Sequence, residues 1–230
     1  MKTIGLIGGL SWESTVTYYQ IMNTIMKEQL GGLHSAKCIL YSVDFAELEK
    51  CLPENDWDTI AAILSDAARR LERAGAQNIV LCTNTMHKAA PQIQAAVTVP
   101  MLHIADATAM ALQEKNIKKA ILLGTQYTME QDFIKQPLIK NGIDILIPDP
   151  AERTEINRII FEELCVGNIV ESSAGYLLHV IDRMSQEGGE GVILGCTELG
   201  LIIKEGTSPI PAFDTAVIHA TQAAHWALAD

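Results

Sequence analysis

No stretch of this chain approaches the roughly 20 consecutive apolar residues that a membrane-spanning helix needs. Its longest apolar runs have the length of single strands, although 48% of the residues are apolar. No membrane association is expected. Basic residues are scarce: 17 Lys and Arg stand against 28 Asp and Glu, a net charge of −11. Such a surface repels phosphate backbones and argues against nucleic-acid binding, yet a few local donors can still hold one small anion. The cysteines at 38, 51, 82, 165 and 196 form an odd set without CxxC spacing, so they read as reduced thiols rather than a disulfide framework. No HExxH or comparable pair is present, and no metal is expected. The chain also lacks a GxSxG elbow. The glycine-rich "GLIGGLSWES" has neither GxGxxG spacing nor the Lys-Ser/Thr pair of a P-loop. "MKTIGLIGG" reaches Gly8 and Gly9 before a signal-like segment develops, so no export sequence is expected and the cytoplasm is the expected compartment.

What is present is alternation. Apolar, strand-length runs near 2–8, 37–43, 77–82, 99–103, 118–123, 142–147, 190–195 and 209–213 are separated by helical patterns. Those patterns cover roughly 12–29, 54–74, 86–96, 104–114, 129–141, 152–166, 170–187 and 215–228. Continuous apolar strands divided by helices predict an α/β protein with mainly parallel sheets covered on both faces. The halves also resemble each other. "KTIGLIGG" parallels "KKAILLGT", "IVLCTN" parallels "VILGCT", and "VTVPMLHIAD" parallels "TSPIPAFDTA", at offsets that drift by only a few residues. The expected architecture is two pseudosymmetric lobes with the active site in the cleft between them. The first lobe spans 1–103, with the C-terminal helix 215–230 packed on it; the second spans 104–214. Ligands of open α/β sheets bind outside the carboxyl ends of strands, where Thr83 and Cys196 fall.

Cys196, in "GVILGCTELG", follows a buried strand and precedes Thr197 and Glu198 near the start of a short helix. Helix N-terminal amides favour a thiolate, lowering a pKa that is otherwise about 8.5. The plain alternative is an inert, packed cysteine. Side chains alternate along a strand, so Cys82 and Thr83 do not both face a cleft unless the backbone turns; the internal alignment selects Thr83 and leaves Cys82 structural. Asn84 and Thr85 offer donors and acceptors, or simply form a polar turn. Backbone amides around Gly8, Gly9, Leu10 and Ser11 are candidates for an anion-binding nest, and Thr125 and Thr128 hold the matching place in the second half. His87, His103 and His219 have no Ser or Cys at a diagnostic spacing and read as structural, or as supports behind the residues that touch a ligand. Ser11 is the expected N-cap of the first helix. Tyr18, Ile21, Met22, Ile25 and Met26 form its core stripe. Trp12, Val16 and Tyr19 are expected to widen that buried face, with a dimer contact or a lid as the alternatives.

Taken together, "MKTIGLIGGLSWEST", "CTNTMH", "HIADAT", "LLGT" and "GCTE" resemble the aspartate/glutamate racemase family, in order and across nearly the whole chain. The resemblance implies two α/β lobes holding an acidic amino acid between two catalytic thiols, with no cofactor and no pyridoxal phosphate. Cys196 matches the family's second cysteine. The first normally precedes Asn-Thr, and that position here is Thr83. The resemblance therefore implies that Cys196 takes the α-proton of an L amino acid (L-Asp, L-Glu or both) while Thr83 serves the opposite face, so turnover from the D enantiomer is slow. Cys165 stands where some members carry a basic residue. Main-chain amides near Leu10, Ser11, Asn84, Thr85 and Thr197, side chains of Thr125 and Thr128, and Lys88 are the candidates for holding the substrate carboxylates. A homodimer is expected. Two alternatives remain: a single-cysteine decarboxylase or isomerase of the same superfamily, and a non-catalytic dicarboxylate-binding protein.

Overall fold

The computed structural model describes residues 1–204 and 206–229. The chain forms two compact units, one of Met1–Ile104 with the segment that begins at His219, the other Ala105–Ile218. The first carries strands β1 (Ile4–Gly8), β2 (Cys38–Ser42), β3 (Asn78–Leu81) and β4 (Met101–Leu102); the second carries β5 (Lys119–Gly124), β6 (Asp144–Leu146), β7 (Gly191–Gly195) and β8 (Ala212–Asp214). Each set makes one four-stranded sheet, in the orders β2-β1-β3-β4 and β6-β5-β7-β8. Every neighbouring pair is parallel. The expected α/β class and the eight strands are thus present, and the two sheets share one topology.

Burial explains why the strands read as unbroken apolar runs. β1, β3 and β7 are buried at every residue, whereas the edge strand β2 is only partly covered. Covered faces on both sides remove the polar alternation of a half-exposed sheet. In the first unit Ile7, Ile79 and Leu81 pack with Ile60, Leu64 and Leu71 of the helix Trp57–Arg73. In the second, Ile121, Leu123 and Leu194 pack with Ile156, Ile160 and Ile181. Among the described residues no helix is long and apolar enough to cross a membrane.

The helix Trp12–Leu30 buries Tyr18, Met22 and Met26 completely and begins at Ser11, whose side chain accepts the Ser14 amide. Ile21 and Ile25 of the expected stripe are half-buried. Trp12, Val16 and Tyr19 do not widen this face: they are 66%, 43% and 53% exposed. At 3.6 residues per turn they lie about 100–160° around the helix from Tyr18, beyond the arc that the sheet covers.

Helix ends and breaks also differ from expectation. The 129–141 pattern is two helices, Gln126–Glu130 and Asp132–Lys140, parted by the extended backbone of Gln131. The 152–166 pattern is an α-helix, Pro150–Arg158, continued by a π turn, Ile159–Glu163, and a 3-10 turn, Leu164–Val166. The 86–96 pattern opens as a 3-10 turn, Thr85–Ala89, before the helix Ala90–Ala95. Short helices at Phe45–Glu49 and Leu199–Ile202 lack the length to show a period. Gly9 takes φ +78°, and a Cβ there would fall on the Val43 carbonyl oxygen, so the turn after β1 requires glycine.

Candidate active site

The sequence candidates fall at the carboxyl ends of the first and third strands of each sheet. In the first unit Leu10 and Ser11 follow β1, and Thr83 to Thr85 follow β3; in the second Thr125 follows β5, and Cys196 and Thr197 follow β7. That is where open parallel sheets place ligands.

The end of β3 settles how Cys82 and Thr83 share the strand. Cys82 is still in the ladder, its amide bonded to Ile7 O at 3.0 Å, but the Thr83 amide folds back to Leu81 O at 2.8 Å. The backbone turns there. Cys82 is fully buried and burial pushes its thiol far up, which makes it inert. Thr83 is half-buried at the start of the turn that leads through Asn84 into Thr85–Ala89. The Ser14 hydroxyl donates to Cys82 O at 3.4 Å, tying the first helix to this strand end. Lys88 places its ammonium 4.2 Å from the Trp57 ring centroid, and partial burial lowers its pKa.

Around β1 the Gly9 amide donates to Thr15 Oγ1 at 2.9 Å, so it is engaged within the chain rather than open to an anion. Ser11 adopts φ 145°, an unfavourable conformation for a residue with a Cβ. Backbone strain of this kind costs about 1–3 kcal/mol and clusters at functional sites. In the second unit Thr125 caps Gln126–Glu130 by accepting the Thr128 amide, and the two threonine hydroxyls lie 3.2 Å apart. Both threonines are buried.

Cys196 follows Gly195, where a Cβ would meet Leu123 O at 2.7 Å; only glycine fits this close strand end. The Cys196 thiol is 8% exposed and donates to Glu198 Oε2 at 3.0 Å. The Thr197 hydroxyl donates to the same oxygen at 2.7 Å. Burial first, then the Glu198 carboxylate, pushes the thiol well above its ordinary pKa. The expected thiolate is therefore not the resting form. The helix Leu199–Ile202 has a single turn and starts beyond Glu198, so its amides offset neither burial nor the carboxylate. Asp214 lies close by: its Oδ1 accepts the Ala216 and Val217 amides, its Oδ2 fills the space where Gly200 would carry a Cβ, and burial raises its pKa. The sequence alone assigns Glu198 no role beyond its place near the start of a short helix. Its place two residues after the cysteine was the available signal.

The three histidines gather behind Thr83. His87 lies 4.6 Å from His103 and 5.7 Å from His219, centroid to centroid. Leu102 O, which only accepts, lies 3.0 Å from His219 Nε2, so that nitrogen carries the proton and Nδ1 accepts from Tyr18 OH at 2.8 Å. Burial lowers both His87 and His219, the latter to about 4. Their folded pKa values lie below the unfolded value of about 6.5. The unfolded chain therefore binds these protons first as pH falls, and stability present above pH ~6.5 is lost below it. At pH 5 His219 alone should cost roughly 2 kcal/mol relative to pH 7.5, and His87 acts in the same direction. Urea titrations across that range should show this loss, and His219→Gln should reduce it; an unchanged slope would contradict the buried neutral assignment. Among the described residues no group of three or more His, Cys, Asp or Glu is arranged to hold a metal ion.

Known proteins share this fold. The Asp/Glu/Hydantoin racemase family profile matches residues 7–226. The crystal structure of a candidate Asp/Glu racemase from Yersinia pestis is 52% identical and superposes with a TM-score of 0.95, covering 100% of both chains. An aspartate racemase homologue from Pyrococcus horikoshii is 39% identical with a TM-score of 0.87, again over 100% of both chains. A broad specificity amino-acid racemase of Bacillus subtilis is 29% identical over 161 residues, which span 70% of this chain and 69% of that protein. The chain belongs to the Asp/Glu/Hydantoin racemase family, a family of isomerases.

Proposed function

We propose that the protein racemises an acidic amino acid, L-Asp, L-Glu or both, without a cofactor, by proton transfer on two sides of the α-carbon. The observation that carries this reading is the Cys196–Glu198 pair at the end of β7, in a chain of this family. A thiol that rests protonated needs somewhere to send its proton before it acts as a base. The Glu198 carboxylate, 3.0 Å away, is that acceptor. The thiolate then takes the α-proton of the L substrate, and Thr83 hands a proton to the opposite face and regains one from solvent. The carbanion has no electron sink, so donors near Leu10, Ser11, Asn84, Thr85, Thr125, Thr128 and Thr197 are assigned to the substrate carboxylates and the enediolate-like state.

Proton NMR in D₂O, with both enantiomers of Asp and Glu and no added pyridoxal phosphate, tests this reading. Loss of the α-proton signal with appearance of the other enantiomer is expected. Carbon dioxide release from a substituted malonate would instead favour the single-cysteine decarboxylase, and binding without exchange the non-catalytic dicarboxylate binder. Because the Bacillus subtilis relative is named for broad specificity, neutral amino acids belong in the same panel.

Glu198→Gln separates the two roles of the carboxylate. It removes the proton acceptor, so kcat should fall about 100-fold. It also removes the charge that raises the Cys196 thiol, so alkylation by iodoacetamide should begin at lower pH. An unchanged kcat would contradict the assignment.

The same reading includes a cytoplasmic homodimer. The odd cysteine count without CxxC spacing supports the compartment, and the exposed line Trp12, Val16 and Tyr19 supports the assembly. Sedimentation should report a dimer for the natural chain and a monomer for Trp12→Ser combined with Tyr19→Ser; a monomer in both cases would contradict it.

A further inference from the structure

We propose that His87 is a positioning residue for the Thr83 half of the reaction: its two ring nitrogens pin the Thr83 main chain to the segment after β4, which fixes where the Thr83 hydroxyl stands. The inference rests on the racemase reading above.

The hydrogen bonds leave the imidazole one arrangement. His87 Nε2 lies 3.2 Å from the amide of Ile104, a group that only donates. Nε2 must therefore be the bare, accepting nitrogen. His87 Nδ1 lies 2.7 Å from Thr83 O, a group that only accepts. Nδ1 must therefore carry the proton. The ring is neutral and held in the Nδ1–H form, in accord with its complete burial.

Each end of this bridge matters for position. At Thr83 the backbone has just left the β3 ladder through the Thr83 N–Leu81 O turn, so no neighbouring strand claims the Thr83 carbonyl. A partly covered carbonyl gains from a fixed donor, and His87 supplies it. Without it the strand end that carries the Thr83 hydroxyl loses one of its anchors. At the other end Ile104 is the last residue of the first unit before the chain continues at Ala105. That segment is pegged twice, by His87 at the Ile104 amide and by His219 at the Leu102 carbonyl. Tyr18 in turn holds His219, and His103 packs its ring against His87. His87 is thus anchored on a fixed support rather than on a loose loop, as a positioning group must be.

A displaced Thr83 should harm one half-reaction only. From L-Asp in D₂O, Cys196 alone breaks the α-C–H bond, forms S–H, exchanges that proton with solvent and returns deuterium to the same face. This exchange with retention needs no Thr83; inversion to D-Asp does. Three variants divide the bridge. His87→Ala removes both contacts, His87→Asn restores a donor near Nδ1, and His87→Gln restores an acceptor near Nε2. The expected result for His87→Ala is inversion lowered about 10- to 100-fold, the scale of an ångström-level misplacement, with retention exchange within about twofold of the natural chain. His87→Asn should recover most of the inversion and His87→Gln little. A parallel fall of exchange and inversion, or no change in either, would overturn the inference.

If the alanine variant does not fold, ¹⁵N spectra of the unaltered protein still decide. They should show a protonated Nδ1 and a bare Nε2 on His87 at neutral pH; the opposite tautomer overturns the bridge. Should the unaltered protein show neither exchange nor inversion with any amino acid, the racemase reading has failed, while the tautomer remains a separate result.

Discussion

Replacing Cys196 by alanine should lower turnover of L-Asp or L-Glu by about 10²–10⁴-fold or more, the span that a positioned proton-transfer group contributes. The loss should appear in kcat, with little change in binding, because the thiol acts on the α-proton and the carboxylate contacts remain. Exchange of the α-proton from the L substrate should vanish along with inversion, since the same sulfur begins both. Cys82→Ser provides the control: that thiol is fully buried and inert, and its replacement should leave the rate nearly unchanged. A Cys196→Ala protein that retains exchange from L-Asp would remove the base from this mechanism.

The second large effect belongs to Thr83→Cys. A threonine hydroxyl is a poor resting base, whereas a free thiol with pKa about 8.5 is a few per cent thiolate at neutral pH. Position 83 is only half-buried, so a new thiol there escapes the full desolvation that silences Cys82. Turnover starting from the D enantiomer should rise, by about 10- to 100-fold in kcat. Equilibrium between free enantiomers is one, so kcat/KM must be equal in the two directions for the natural chain and for every variant. The asymmetry assigned to Thr83 is therefore a low kcat for the D enantiomer matched by a low KM, and the substitution should raise both. Progress curves from each pure enantiomer test this. A gain confined to the L direction, or none, would show that residue 83 does not serve the second face.

Much of the fold was legible because its strands are covered on both sides. β1, β3 and β7 are apolar at nearly every residue, and their partners in the two halves repeat in order. The ends of helices were less legible. Gln131 lies in the polar stretch Glu130–Asp132 between Met129 and Phe133, and nothing in its side chain announces the extended backbone it adopts. Trp12, Val16 and Tyr19 look like core by type, yet which arc of a helix meets the sheet depends on how the helix docks.

At the site the same division holds. The positions of Thr83 and Cys196 at strand ends follow from pattern, but the state of the thiol does not. It depends on burial and on a carboxylate that the fold turns back toward the sulfur, so a helix-dipole argument from "GCTELG" predicted a shift of the wrong sign. The histidines show the limit most clearly. His87, His103 and His219 carry no local motif, and the Tyr18–His219 bond joins residues 201 positions apart. Only the folded chain brings them together behind Thr83.

The central claim is that the Cys196 sulfur and the Thr83 hydroxyl reach one α-carbon from opposite sides. A crystal structure with α-methylaspartate, which has no α-proton to lose, measures this directly. The expected result is a single bound molecule with Sγ and Oγ1 each about 3–4 Å from its α-carbon, on opposite faces. A ligand that touches only one of the two residues, or two residues that open onto unrelated surfaces, would contradict it.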